Sequence, residues 1–217
     1  VENMMVTSMD TKVLCDQMPE AFDKILVDAP CSGEGMMKKH DAARDEWSLD
    51  NIELCAARQK EILANAVRAL RPGGILMYST CTYAKEENEE VAAWLLKTFP
   101  EMKQEDLDVS YGRPGFETEG MEASKVVRIF PMDGGEGHFM AKFRKEGSGT
   151  ASLKEEKPAK LPKEAAQFLE EQLPEGYSFY KTADKKDRIS VYGMNHPFIA
   201  LKKGTVLRQG IHIGDTV

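Results

Sequence analysis

Two cysteines and one aspartate follow the ends of two predicted strands. Residues 24–27 form a short apolar run that leads into Asp28-Ala29-Pro30-Cys31, and residues 75–79 form a second run that leads into Thr80-Cys81-Thr82. Unalternating runs of this length are typical of strands buried on both faces of a parallel sheet. Because ligands bind beyond the carboxyl ends of such strands, we expect Asp28, Cys31 and Cys81 to meet in one crevice.

Two thiols and a carboxylate suit covalent chemistry on a pyrimidine ring. C5 of cytosine is a poor nucleophile, but addition of a thiolate to C6 converts the ring into an enamine whose C5 can attack a methyl group. A carboxyl group near N3 would stabilise the charge that develops during this addition. A second thiol in the crevice could assist the elimination that releases the product.

Helices are predicted to support both strands. Ser48 is a suitable N-cap for a helix that continues at helical spacing to about residue 70 and ends at the breaker Arg-Pro-Gly-Gly, residues 71–74. A second helix is predicted over residues 85–98. Two strand–helix units in series indicate a parallel α/β sheet. Residues 125–130 and 137–143 predict an antiparallel pair that closes this sheet.

The C-terminal third has a different composition. Residues 145–162 are polar, contain Gly, Ser and Pro, and have almost no large apolar side chains, which indicates a linker. Residues 163–217 predict a helix at 164–173 and short strands near 177–181 and 189–192. This segment is expected to be a small α+β region that is incomplete.

Composition limits the classes of protein that fit. The chain has 217 residues, 41% hydrophobic and 30% charged, as expected of a soluble globular protein. No apolar run approaches membrane-spanning length and no signal peptide is recognisable, so a cytoplasmic protein with no membrane partner is expected. The four cysteines form no CxxC pair, so neither a metal site nor disulfides are predicted, and Cys15 and Cys55 are expected to be small buried hydrophobes. A net charge of −7 means that any RNA contact must be local or supplied by sequence outside these 217 residues.

Two motifs together carry a resemblance to a known family. DAPCSGEGM (28–36) and YSTCT (78–82) resemble the paired signatures of the Nol–Nop–Sun family of RNA (cytosine-5) methyltransferases. The similarity extends over residues 1–144, including RIFPMDGGEGHFMAKFRK (128–145). Gly-Glu-Gly-Met after Cys31 and the segment VLRQGIHIGD (206–215) are similar to the bacterial RsmF-like branch, whose members act on ribosomal RNA. In that branch a PUA-like RNA-binding region follows the catalytic domain.

The resemblance implies RNA, in particular ribosomal RNA, as the partner and S-adenosyl-L-methionine as the cofactor. Cys81 matches the family's nucleophile, and Cys31 matches the cysteine needed to release the product. Asp28 matches the carboxylate that contacts the target cytosine and the methyl-bearing end of the cofactor, and Pro30 shapes that loop. Asp10 matches an acidic residue that contacts the cofactor's adenosine, although a solvated surface Asp10 is equally compatible with the sequence.

The resemblance also predicts the domain organisation and a departure from it. Residues 1–144 are expected to form the downstream part of a Rossmann-like class I methyltransferase sheet, with 163–217 as the start of the PUA-like region. The family's DxCAAPGGK-type cofactor loop and the acidic residue of its second strand do not occur. We therefore expect the strand at 24–28 to have an unpaired edge and residues 4–7 to have no strand partner. On this expectation the 217 residues are a fragment, inactive alone and unable to bind the cofactor measurably.

Three other functions stay open. A DNA cytosine-C5 methyltransferase would use Cys31 as its nucleophile, although the motif around Cys81 fits that family poorly. An amino-methylating enzyme would need an Asp/Asn-Pro-Pro-aromatic loop, and Ala29-Pro30-Cys31 lacks the aromatic residue. A non-enzymatic RNA-binding or scaffold fragment is compatible with the absent cofactor loop.

Overall fold

The computed structural model describes residues 4–150, 167, 171, 178–183, 189–194, 201–209 and 211–216. The chain divides into two compact units, one formed by Met18–Ser152 and the other by Val1–Gln17 with Leu153–Val217. Most of the predicted linker lies outside the described residues, and so does the helix predicted at 164–173 apart from residues 167 and 171, which are helical. The domain boundaries and the PUA-like character of the C-terminal region therefore stay predictions.

The unit Met18–Ser152 contains a mixed sheet packed against helices. In chain order its described elements are β2 (Phe22–Asp28), α2 (Asp41–Asp45), α3 (Leu49–Ala69), β3 (Leu70–Thr80), α4 (Glu89–Thr98), β4 (Met102–Glu105), β5 (Val126–Ile129) and β6 (His138–Lys145). The strand order is β2-β3-β6-β4, and β5 also pairs with β6. β2 and β3 are parallel, while β6 is antiparallel to β3, β4 and β5. The α/β class and the antiparallel pair at β5 and β6 are confirmed.

Both ends of α3 and the end of α4 agree with the predictions, whereas the start of α4 differs. α3 begins after Ser48, whose Oγ accepts a hydrogen bond of 3.1 Å from the Asn51 N–H. α3 ends at Ala69, but residues 71–74 form the start of β3 rather than a turn. α4 begins four residues later than predicted, because residues 85–88 form turns. None of the described helices is long and apolar enough to cross a membrane.

The two faces of the β2–β3 ladder differ in burial. Val27 and Tyr78 are register partners on the buried face, where Leu76 lies as well. They pack in one core with side chains of α3, α4 and β6. Leu26 and Met77 are register partners on the other face, where Leu26 is 68% exposed. The prediction that residues 24–27 are buried on both faces is therefore wrong, since among the described residues the helices cover one face only.

β2 lies at the edge of its sheet. Within the described part of the chain it pairs only with β3, so its other edge is free, as the sequence predicted. The side chains next to that edge alternate between half-buried Ile25 and exposed Lys24 and Leu26.

The second unit contains two small antiparallel sheets. One consists of β1 (Met5–Ser8) and β9 (Thr205–Gln209), and the other has the order β10-β8-β7, with β7 at Ser178–Ala183, β8 at Ile189–Met194 and β10 at Ile211–Thr216. The short helix α1 (Thr11–Cys15) follows β1. β7 and β8 confirm the predicted strands. The prediction that residues 4–7 have no partner is wrong, because β1 pairs with a strand about 200 residues away.

Candidate active site

The loops after β2 and β3 bring two thiols into contact. In the parallel register Asp28 is the partner of Ser79, and the Ala29 N–H donates a hydrogen bond of 3.0 Å to the Ser79 carbonyl. The chain leaves both strands in the same direction, and the Sγ atoms of Cys31 and Cys81 lie 3.3 Å apart. Both side chains are half-buried. This arrangement confirms the expectation that Asp28, Cys31 and Cys81 lie together beyond the carboxyl ends of β2 and β3.

The contact between the sulfurs makes the two thiols unequal. The hydrogen bond from Cys31 lowers the pKa of Cys81 from 9.0 to about 7, although burial and the negative charges of Asp28 and Glu87 act in the opposite direction. The same bond, together with burial, raises the pKa of Cys31. Near neutral pH, Cys81 is therefore the sulfur that carries negative charge, and Cys31 keeps its proton and donates it. Because a thiolate is the nucleophilic form of cysteine, Cys81 is the better nucleophile.

The other predicted site residues are placed as follows. Asp28 is exposed at the end of β2, and one of its carboxylate oxygens accepts a hydrogen bond of 3.1 Å from Ser79 Oγ. Pro30 is also exposed, and its carbonyl accepts a bond of 3.0 Å from Gln59 Nε2. Asp10 belongs to the other compact unit, where it caps α1 by accepting a bond of 2.8 Å from the Lys12 N–H. The fold thus assigns Asp10 a local capping contact.

A cluster of buried polar side chains forms hydrogen bonds with the loop that carries Cys31. Glu87 is fully buried and accepts hydrogen bonds from the Ser32 N–H at 3.0 Å and from Gln59 Nε2 at 2.7 Å. Ser32 Oγ lies 2.8 Å from Thr82 Oγ1, which connects this cluster to the loop that carries Cys81. Burial raises the pKa of the Glu87 carboxyl group. These side chains connect the loop that carries Cys31 to the loop that carries Cys81.

Few features of the sequence point to this cluster. Glu87 lies in the run KEENEE (85–90), a composition typical of an exposed helix start. Only its position, five residues after the loop that carries Cys81, could have marked it as a candidate.

A cavity of about 300 Å³ lies beside the Cys81 loop. Its lining includes Glu34, Lys38, Arg44, Tyr83 and Glu136. The lining combines an aromatic ring with two cationic and two anionic side chains. Among the residues that the structure describes, no group of three or more His, Cys, Asp or Glu is placed to hold a metal ion.

Comparison with known proteins gives one family and several relatives. The family described as 16S rRNA methyltransferase RsmB/F matches residues 1–144. The ribosomal RNA small subunit methyltransferase F of Pectobacterium atrosepticum is 41% identical over 150 residues, which is 68% of this chain and 30% of the relative. The protein of the same name from Citrobacter koseri is 43% identical over 146 residues, 67% of this chain and 30% of the relative. The chain thus spans about 30% of the length of these relatives.

Two solved structures from Pyrococcus horikoshii share the fold. The crystal structure of NSun6 with SFG superposes with a TM-score of 0.53 at 37% identity, covering 64% of this chain and 34% of that one. A methyltransferase homolog protein superposes with a TM-score of 0.53 at 32% identity, covering 63% of this chain and 43% of that one. The described α/β sheet is therefore one found in methyltransferases.

Proposed function

Because the chain belongs to the 16S rRNA methyltransferase RsmB/F family, we propose that the gene product containing it methylates C5 of cytosine in ribosomal RNA, with S-adenosylmethionine as the methyl donor and a covalent bond between Cys81 and C6. The observation that carries this proposal is the 3.3 Å contact between two thiols of opposite acidity at one sheet edge. Methylation of a carbon that is not itself nucleophilic needs a thiolate, and Cys81 supplies it.

The reaction follows from the properties of the two thiols. The Cys81 thiolate adds to C6, which forms the S–C6 bond and moves the electrons of the C5–C6 double bond onto the ring. The exposed carboxyl group of Asp28 lies at the same edge and would interact with the N3 side of the base as that charge develops. C5 would then form a bond to the donor's methyl group while that group's bond to the donor's sulfur breaks, with the electron pair left on the donor's sulfur. C5 thereby carries the new methyl group together with its original hydrogen.

Release of the product reverses the addition. The C5 proton passes to solvent water, its electron pair re-forms the C5–C6 double bond, and the S–C6 bond breaks with its electron pair on Cys81. The two sulfurs lie 3.3 Å apart, so the S–H group of a protonated Cys31 can donate to the departing thiolate and stabilise it. This assigns Cys31 to the release step and Cys81 to the addition step.

Asp28 and Pro30 fit one side of a site for the methyl donor. Both are exposed at the carboxyl end of β2, where cofactors bind in open α/β sheets. A carboxylate there can accept hydrogen bonds from hydroxyl or amino groups of the donor. S-adenosylmethionine supplies the electrophilic methyl group when it is bound. The SFG in the solved NSun6 structure, an analogue of S-adenosylmethionine, supports this choice of donor.

The nucleophile is tested by replacing each cysteine in the gene product. We expect Cys81→Ala to lower the methylation rate by at least ~10³-fold, or roughly 4 kcal/mol of barrier, because covalent activation of C5 is lost. The matched control is Cys55→Ala, which removes another half-buried thiol and should stay within about twofold of the wild type. The readout is tritium transfer from labelled S-adenosylmethionine to ribosomal RNA. More than a tenth of the wild-type rate in Cys81→Ala would exclude the proposed nucleophile.

The release role of Cys31 gives a different outcome. In Cys31→Ala, addition and methyl transfer can still proceed, although more slowly, while elimination stalls because no S–H group donates to the departing sulfur. The protein should therefore accumulate as a covalent complex with RNA on a denaturing gel. The double variant Cys31→Ala, Cys81→Ala should give no such band. A DNA-type mechanism, in which Cys31 is the nucleophile and Cys81 is incidental, predicts instead that loss of Cys31 abolishes both methylation and the covalent complex, and that loss of Cys81 has little effect on either.

A further inference from the structure

Glu34 connects the loop that carries Cys31 to the loop that carries Cys81, although it forms no hydrogen bond with either sulfur. It follows Cys31 by three residues in the short 3-10 helix Glu34–Met36. Its Oε2 accepts hydrogen bonds from the Tyr83 N–H at 2.8 Å and from Thr82 Oγ1 at 3.1 Å. Its Oε1 accepts a bond of 2.9 Å from Trp47 Nε1. One carboxylate on the Cys31 side therefore binds two consecutive residues directly after Cys81.

The neighbouring residue completes the same connection through the backbone. The Gly35 N–H donates a bond of 2.9 Å to the carbonyl of Cys81 itself. A Cβ atom on Gly35 would lie 2.9 Å from that carbonyl oxygen and 2.9 Å from the carbonyl of Gly137, so any larger residue would push the two loops apart. Glu34 and Gly35 thus hold Cys81, Thr82 and Tyr83, one after another.

The Cys81 loop depends on these contacts because it lies beyond the end of β3. Its backbone groups no longer form hydrogen bonds with a neighbouring strand, so they need other hydrogen-bond partners. The Asn88 Nδ2 group donates a hydrogen bond of 2.9 Å to the Thr82 carbonyl. The Tyr83 N–H donates to Glu34. Hydrogen bonds to a carboxylate are about twice as strong as neutral ones, so Glu34 is the stronger of the two anchors.

We propose that Glu34 is a positioning residue of this site, whose carboxylate sets the distance between Cys81 and Cys31 by its reach to Thr82 and Tyr83. The expected effect of Glu34 on the methylation rate rests on the proposed function. Its expected effect on the position of the Cys81 loop rests on the contacts described above. A displacement of a reacting group by about 1 Å can cost about 10²-fold in rate, so release of the Cys81 loop should affect the chemical step more than substrate binding.

Two substitutions of Glu34 distinguish the effect of side-chain length from the effect of charge. Glu34→Gln keeps the length of the side chain and one acceptor oxygen for Thr82 and Tyr83, but loses the charge and the bond from Trp47. Glu34→Asp keeps the charge and shortens the side chain by one C–C bond, about 1.5 Å. If reach positions the loop, Glu34→Asp should lower the single-turnover methylation rate by about 100-fold and Glu34→Gln by only about fivefold. The affinity for RNA should stay within threefold in both.

Glu136→Gln is the matched control. Glu136 lines the same cavity and forms an ion pair of 2.6 Å with Lys39, but its side chain does not bind the Cys81 loop. It should keep the wild-type rate within twofold. A variant that loses rate and RNA affinity together, with a lower melting temperature, would show that Glu34 acts only through overall stability and would overturn the proposal.

A second readout does not depend on methylation. The rate of Cys81 alkylation by iodoacetamide, followed against pH by mass spectrometry, reports how closely Cys31 still donates to it. In Glu34→Asp the midpoint should move up from about 7 towards 9.0, the ordinary value of a cysteine, while in Glu34→Gln and Glu136→Gln it should not move. An unchanged midpoint in Glu34→Asp, or a larger effect in Glu34→Gln, would overturn the positioning role. Since this measurement needs no product, it distinguishes failure of this inference from failure of the proposed function.

Discussion

Cys31 and Cys81 have the same side chain and lie 3.3 Å apart, yet the structure gives them opposite acidities. The hydrogen bond between them is the largest cause of the shift in both thiols, in opposite directions. Removal of the Cys31 proton donor should therefore weaken Cys81 as a nucleophile without touching Cys81 itself. At the scale of single residues, the reactivity of one cysteine is a property of the pair.

The pH dependence of alkylation tests this dependence. In the wild type, Cys81 should react half-maximally near pH 7, because its pKa is lowered to about 7. Its thiolate is lost as pH falls through that value. In Cys31→Ala the midpoint should rise towards 9.0, so at pH 7 the reaction slows severalfold. Cys55, whose pKa is raised by burial, should react slowly at pH 7 in both proteins. Coincident midpoints for Cys81 with and without Cys31 would contradict this explanation.

At the scale of elements, a buried ion pair joins α4 to β5 beneath the end of the Cys81 loop. Arg128 and Glu89 are 1% and 0% exposed, and their shortest contact is 2.5 Å. Arg128 also donates to the Tyr83 carbonyl at 3.1 Å, and Glu89 accepts from the Phe116 N–H at 2.9 Å. The pair thus ties the start of a helix, a strand and two loops together.

Breaking this pair should destabilise the protein strongly. We expect Glu89→Ala to lower the free energy of unfolding by about 3–5 kcal/mol, because it leaves the Arg128 guanidinium buried and uncompensated. The control is Glu122→Ala, which breaks the exposed pair with Lys125 and should change stability by less than about 1 kcal/mol. Urea denaturation followed by circular dichroism measures both. Similar urea midpoints for the two variants would show that the buried pair contributes no more to stability than the exposed pair.

At the scale of the whole molecule, the free edge and open face of β2 are the most exposed part of the described sheet. Leu26 is 68% exposed, whereas Val27, the next residue, is 7% exposed and lies on the core face. An unpaired strand edge with an apolar side chain beside it favours association between copies. This arrangement predicts that the 217-residue chain aggregates through β2.

Lysine substitutions at these neighbouring positions test that prediction. Leu26→Lys should raise the concentration at which the chain stays monomeric in analytical ultracentrifugation, with a change in unfolding free energy within about 0.5 kcal/mol. Val27→Lys should instead cost about 3 kcal/mol or more, because it puts an unpaired charge in the core. Aggregation that Leu26→Lys does not reduce would locate the association surface elsewhere.

Short stretches of sequence are enough to predict the local features of this protein. The two strand ends, the N-cap at Ser48 and the pair DAPCSG and STCT are local patterns, and they were enough to predict that Cys31 and Cys81 meet at one edge. The family match over residues 1–144 agrees with that prediction. Parallel pairing of two successive strands leaves little freedom for where their exit loops lie, which is why local patterns reached this far.

Long-range packing determines which side chains hold the cysteines and which strand faces are covered. Glu34 and Glu87 sit in polar runs that look solvent-exposed in the sequence, and their roles appear once loops 50 residues apart come into contact. The exposed face of Leu26 and the pairing of β1 with β9 likewise depend on which distant segments pack there. Periodicity reports that a residue is apolar or polar, but burial and hydrogen-bond partners are set by the neighbours that long-range packing supplies.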